Sequence, residues 1–152
     1  NFKFSSAHFL VFDQKRAERL HGHNYKVRVK VGAPPNFDLG EQGFFIDFNV
    51  LKEIIRKRLE LWNEKVLLPA HQKEMIFKEN GASLELQFRD RFYVFPKDEV
   101  ELLPVNNTSV EQMSNLLAED FFKEFQKYGV HKIQVSVEET EGQSASTSYE
   151  LG

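Results

Sequence analysis

A chain of 152 residues has the length of one ordinary domain, enough to bury a core and too short for two comfortable ones. Its 20 basic and 23 acidic residues leave a formal charge of -3, and the Lys and Arg residues are spread, so nucleic acid is not an expected partner. The absence of cysteine excludes a disulfide framework, a thiolate nucleophile and every Cys-containing zinc site, which leaves imidazole and carboxylate as transition-metal ligands.

Phe2, Phe4, Ser6 and His8 alternate with Lys3, Ser5 and Ala7, which predicts a short first strand. A polar loop, Asp13 to Leu20, separates it from a second strand that starts at His23 and alternates through Tyr25, Val27, Val29 and Val31. The Pro- and Gly-containing stretch from Gly32 to Gly43 reads as a connection. Asp47 is placed to cap a helix with an apolar stripe of Val50, Leu51, Ile54, Ile55, Leu59 and Trp62, ending near Glu64. From Pro69 to Pro104 the pattern breaks: Ser83–Phe88 and Arg91–Phe95 each alternate around Arg89 and Asp90, which predicts an inserted hairpin. Ser109 then precedes a second helix through Met113, Leu116, Leu117, Phe121 and Phe125, with Gly129 as its stop signal. Ile133, Val135 and Val137 predict a third core strand running into Glu138-Glu139-Thr140, and Thr147 to Leu151 a last edge strand. No segment approaches the roughly 20 apolar residues of a membrane helix, and no basic-then-apolar leader is visible. A cytoplasmic protein with no membrane partner is expected; since the first residue is Asn1 rather than Met, a short leader can precede it.

Two of the five histidines, His21 and His23, sit one residue apart at the mouth of the second strand and so project to the same side. If the first two strands pair antiparallel, His8 faces them across the ladder. Three imidazoles would leave a fourth position open on zinc, the arrangement of a catalytic rather than a structural site. The competing reading of the H-x-H pattern is a pair of half-buried, hydrogen-bonded histidines. Glu139, at a strand end, can bind the amidine-like edge of a heterocycle through two parallel hydrogen bonds, or belong to a solvated acidic run with Glu138 and Glu141. Glu18, three residues before His21, is a candidate general base or an ordinary solvated loop residue. His71 and His131 have no partner at a useful spacing and read as surface residues or as support for other ligands.

The ordered segments FSSAHFL, HGHNYKVRVKV, IDFNVLKEII, TSVEQMSNLL and VSVEET resemble the 6-pyruvoyl-tetrahydropterin and 6-carboxy-tetrahydropterin synthase family over about Phe2 to Thr140. The resemblance implies an α+β tunnelling fold, an antiparallel four-stranded sheet with two helices on one face, as a single pterin-binding domain with an insertion at about 69–104. It also implies a homo-oligomer, a hexamer built as a dimer of trimers. The residues matching the family's zinc ligands are His8, His21 and His23, and Glu139 matches the glutamate that anchors the pterin ring. Thr108 or Ser109 would add a hydrogen bond to that ring.

Three departures refine the resemblance. Where synthases of the family carry a catalytic cysteine, this chain has Ala17, followed by Glu18 in the pattern ExxHGH. That looks like the branch in which glutamate replaces the cysteine and the product is 6-hydroxymethyl-7,8-dihydropterin. The family's LDH, source of an Asp-His dyad, aligns with Trp62, Asn63 and Glu64, so Asn63 and Glu64 become candidate catalytic residues by a different proton path. The insertion itself offers His71 as a replacement. A zinc-dependent lyase acting on a dihydroneopterin-type substrate is therefore expected, with a triphosphate-eliminating synthase and a non-catalytic zinc- and pterin-binding homologue as rivals.

Overall fold

The computed structural model describes residues 1–34, 47–140 and 142–151. Most of the Gly32–Gly43 connection and Glu141 lie outside them. The chain divides into two compact units, residues 1–3, 25–60 and 110–152 in the first and residues 4–24 and 61–109 in the second.

The first unit holds most of strand β2 (His21–Gly32), both helices α1 (Phe48–Glu60) and α2 (Val110–Phe125), and strands β8 (Lys132–Glu139) and β9 (Ser144–Glu150). Strand β2 pairs antiparallel with β8, Val27 opposite Val137 and Tyr25 opposite Glu139, and β9 extends β8 antiparallel. Alternation buries Tyr25 and Val27 from β2 and Ile133, Val135 and Val137 from β8. Helix α2 packs on β8 and β9 and buries Met113, Leu117, Phe121 and Phe125, a stripe at three- and four-residue spacing. It ends through a 3-10 turn at Gly129, whose φ of 82° is the left-handed conformation that glycine takes without strain. Helix α1 starts where Asp47 accepts the Asn49 N–H at 2.9 Å, an N-cap, and buries Leu51, Ile55 and Leu59.

In the second unit β1 (Phe2–His8, from Phe4 on) lies beside β3 (Lys65–Pro69), and β3 beside β7 (Val100–Leu103). Both pairings are parallel, so β3 and β7 run in the same direction as β1, two strands that the expected antiparallel set of four did not include. Neither was legible: Lys65–Pro69 and Val100–Leu103 are too short to show a period. The parallel β3–β7 pair needs a long crossover, and the insertion supplies it. It is a three-stranded antiparallel sheet, β4 (Met75–Asn80), β5 (Ser83–Phe88) and β6 (Arg91–Pro96), rather than a hairpin alone. The predicted hairpin is its β5–β6 part, closed by Arg89 and Asp90 with Arg89 at a left-handed φ of 55°. Its inner face contributes Leu84, Leu86 and Phe88 to a core shared with Phe9, Leu68 and Met75, and Val11, Ala17 and Leu20 pack against that core. The insertion thus lies beneath the loop joining β1 to β2.

Helix α1 ends at Glu60, four residues before the expected Glu64. The reason is local competition from β1. The Trp62 carbonyl accepts the Ser6 hydroxyl at 2.5 Å, Asn63 Oδ1 accepts the Ser5 N–H at 3.0 Å, and the Glu64 N–H donates to the Ser5 carbonyl at 2.6 Å. Trp62, buried, meets Phe4 edge-on instead of extending the helical stripe. No helix among the described residues is long and apolar enough to cross a membrane.

Candidate metal centre

His8 closes β1 on the same buried face as Phe4 and Ser6 and is 0% exposed. Its Nδ1–H donates to the Thr108 carbonyl at 2.8 Å. Burial is the main force lowering its pKa to about 4; the Thr108 bond opposes this, and the neighbouring His21 and His23 add to the lowering. His8 is therefore neutral at ordinary pH, the state in which imidazole is a ligand.

His21 and His23 open β2 on one side of the strand, as their spacing predicts. The three rings stand edge to face, with centroids 5.2 Å apart for His8 and His21, 5.3 Å for His8 and His23, and 4.6 Å for His21 and His23. One ring nitrogen from each lies within 4.8 Å of the others. His21 Nδ1–H donates to the Arg19 carbonyl at 2.6 Å, and its Nε2 lies 2.8 Å from His23 Nε2. A carbonyl only accepts, so Nδ1 of His8 and of His21 carries the proton and Nε2 of each keeps its lone pair. This carbonyl-oriented tautomer is what a metal-binding histidine requires. Donor nitrogens of a tetrahedral zinc at 2.0–2.1 Å stand ~3.3 Å apart, a spacing that the 2.8 Å pair and the 4.8 Å limit bracket. The residues fit a transition metal with nitrogen ligands. Gly22, between the two histidines, is not required for space: a Cβ there would meet Ser6 O at 3.7 Å, an ordinary contact.

Glu18 lies in the loop that folds back on the end of β1. Its N–H donates to the Leu10 carbonyl at 2.8 Å, its Oε1 accepts the Leu10 N–H at 2.9 Å, and the same oxygen stands 4.0 Å from His21 Nε2. The side chain is 29% exposed, so solvent reaches it. Glu18 is thus hydrogen-bonded to Leu10 at both its backbone N–H and its carboxylate.

The other candidates fall in varied places. Thr108 is buried and meets His8 through its carbonyl, while Ser109 is half-buried immediately before α2. Asn63 commits its amide oxygen to the Ser5 N–H, and Glu64 is exposed with a left-handed φ of 57°. Glu139 belongs to the first unit, where it is only 9% exposed and continues the buried face of Ile133, Val135 and Val137; a solvated acidic residue does not sit there. His71 is exposed and His131 half-buried. Sequence reasoning missed Phe9 and Arg91. The signal for Phe9 was present, since an apolar residue directly after His8 breaks the alternation of β1 and announces a second core. Arg91 had no such signal, because nothing in the sequence says which loop the insertion would meet.

The fold and the histidine cluster together define an α+β tunnelling-fold protein with three imidazoles placed so that they could hold a metal ion. The chain belongs to the 6-pyruvoyl tetrahydropterin synthase family, whose family model matches residues 1–150. A Methanocaldococcus jannaschii protein, provisionally named 6-carboxy-5,6,7,8-tetrahydropterin synthase, is 28% identical over 146 residues, 94% of this chain and 87% of its own. The 6-pyruvoyltetrahydropterin synthase of Plasmodium vivax, solved as a variant in which a glutamate named as the catalytic residue is replaced by cysteine, superposes with a TM-score of 0.86 at 25% identity. It covers 98% of this chain and 92% of its own. The Plasmodium falciparum 6-pyruvoyl tetrahydropterin synthase gives a TM-score of 0.85 at 26% identity over the same shares.

Proposed function

We propose that the protein is a zinc-dependent lyase that cleaves the side chain of a 7,8-dihydroneopterin-type substrate to 6-hydroxymethyl-7,8-dihydropterin. The observation that carries the reading is the Glu18 carboxylate 4.0 Å from His21 Nε2, in a chain with no cysteine. A glutamate is also the catalytic residue in the Plasmodium vivax relative. Zinc held by His8, His21 and His23 supplies positive charge beside the negative charge that develops on the substrate's side chain. Glu18 takes the proton of the C2′ hydroxyl as the C1′–C2′ bond breaks. The bonding electron pair passes toward the dihydropterin ring, a proton returns to C1′, and a two-carbon aldehyde leaves. Glu139 is the group proposed to hold the ring edge by paired hydrogen bonds, with Thr108 or Ser109 adding one more. Asn63, whose amide oxygen accepts the Ser5 N–H, and the exposed Glu64 are the residues proposed for an alternative proton path. The working form is a cytoplasmic homohexamer, a dimer of trimers, an assembly favoured by the edge strands β7 and β9.

A second reading, elimination of triphosphate as in a 6-pyruvoyl-tetrahydropterin synthase, is favoured by the names of the two Plasmodium relatives. Metal-loaded protein incubated with 7,8-dihydroneopterin and with its triphosphate, followed by mass analysis, separates the two. A two-carbon aldehyde with 6-hydroxymethyl-7,8-dihydropterin supports cleavage, free triphosphate supports elimination, and no turnover of either substrate overturns both in favour of a binding protein.

A further inference from the structure

The inserted sheet reaches the loop that carries Glu18. Arg91, first residue of β6, donates from Nη1 to the Glu18 carbonyl at 2.6 Å and from Nη2 to the Ala17 carbonyl at 3.1 Å. Its guanidinium carbon lies 5.4 Å from the centre of the Phe9 ring and 5.6 Å from that of Phe88. A planar fork on two consecutive carbonyls fixes the orientation of both peptide planes, which a single flexible ammonium cannot do. With Leu10 bonded to the Glu18 N–H and carboxylate, the residue is held at its N–H, its carbonyl and one carboxylate oxygen, and that oxygen stands 4.0 Å from His21 Nε2. The next carbonyl, that of Arg19, orients His21.

The tip of the loop has separate anchors. Arg89 donates to the Asp13 carbonyl and forms a two-bond pair with Glu74, each bond 2.8 Å. Asn107 bonds the Val11 N–H at 3.1 Å and its carbonyl at 2.9 Å. Arg91 is thus the group from the insertion that acts at Glu18 itself.

We propose that Arg91 is a positioning residue for Glu18, and that the insertion serves the reaction by carrying it. The proposal rests on Glu18 being the acid–base group. Near-attack geometry is sensitive to displacements of about an ångström, which can cost about 100-fold in rate.

The test compares metal-loaded Arg91→Lys and Arg91→Met, each alone and combined with Glu18→Gln, with Arg89→Met as the control on the same hairpin. Turnover of 7,8-dihydroneopterin and its triphosphate, metal content and deuterium uptake of residues 9–20 are measured. Both Arg91 variants should lose about 10- to 100-fold in kcat with KM within about threefold and metal content unchanged, and residues 9–20 should exchange faster. In the Glu18→Gln background the Arg91 change should cost nothing further, because it acts through the group already removed. Full kcat in Arg91→Met, multiplying losses in the double variants, or an equal loss in Arg89→Met would each overturn the proposal. Glu18→Gln alone at full activity would refute the base assignment, a failure visible without any Arg91 variant.

Discussion

The burial of His8 makes a prediction about stability and pH. Its pKa is about 4 in the folded chain and 6.5 when unfolded. Between these values the unfolded chain binds a proton that the folded chain refuses, so stability falls as pH drops below 6.5 and the loss is complete below about 4. Between pH 7 and pH 5 the two titration curves differ by roughly 2 kcal/mol for this one group. The assay is urea denaturation of EDTA-treated, metal-free protein at both pH values and one protein concentration, beside His8→Asn. Asparagine offers an amide N–H to the Thr108 carbonyl and does not titrate, so contributions from the remaining groups cancel. The wild type should lose about 2 kcal/mol more than the variant on acidification. Equal losses would show that His8 accepts its proton in the folded state and that the neutral-ligand argument is wrong.

Three further outcomes follow from the packing. Phe9→Ala, in the core shared by the insertion and the loop, should destabilise by about 3–5 kcal/mol in denaturant; a cost below ~1 kcal/mol would mean that the insertion does not support the loop. Gly22→Ala should keep its metal and change stability by no more than about 1 kcal/mol, because its Cβ meets only an ordinary contact with Ser6 O; loss of metal would contradict this. Light scattering at micromolar concentration should report six copies of the 17.8 kDa chain, and a monomer would remove the proposed assembly.

Much of the fold was legible where elements have a long period or a specific cap. Helix α2, the start of α1 with its Asp47 cap and the Gly129 stop appear where propensity and spacing place them, and strands β2, β5 and β8 show clean alternation. What escaped was set by partners distant in sequence. Strands β3 and β7 are short and pair in parallel, so their order depends on the crossover rather than on their own residues. The early end of α1 was hidden for the same reason, since Ser5 and Ser6 compete for the backbone at Trp62, Asn63 and Glu64. At the site, the H-x-H spacing and the His8 face were readable from strand periodicity. The carbonyls of Thr108 and Arg19, which choose the tautomers, were not, because every residue presents a carbonyl and only folding decides where it points. Glu139 shows the limit of composition: its acidic neighbours suggested solvent, while the period of β8 puts it on the buried face.

The three-imidazole centre is tested most directly by elemental analysis of the purified protein and of His8→Ala, His21→Ala and His23→Ala, each checked for folding by circular dichroism. The expected result is about one zinc per chain in the wild type, as four-coordinate zinc with three imidazoles requires, and loss of most of it in every folded variant. Undiminished zinc in any of the three would remove that residue from the ligand set, and wild-type protein that binds none after equilibration with zinc would contradict the centre itself.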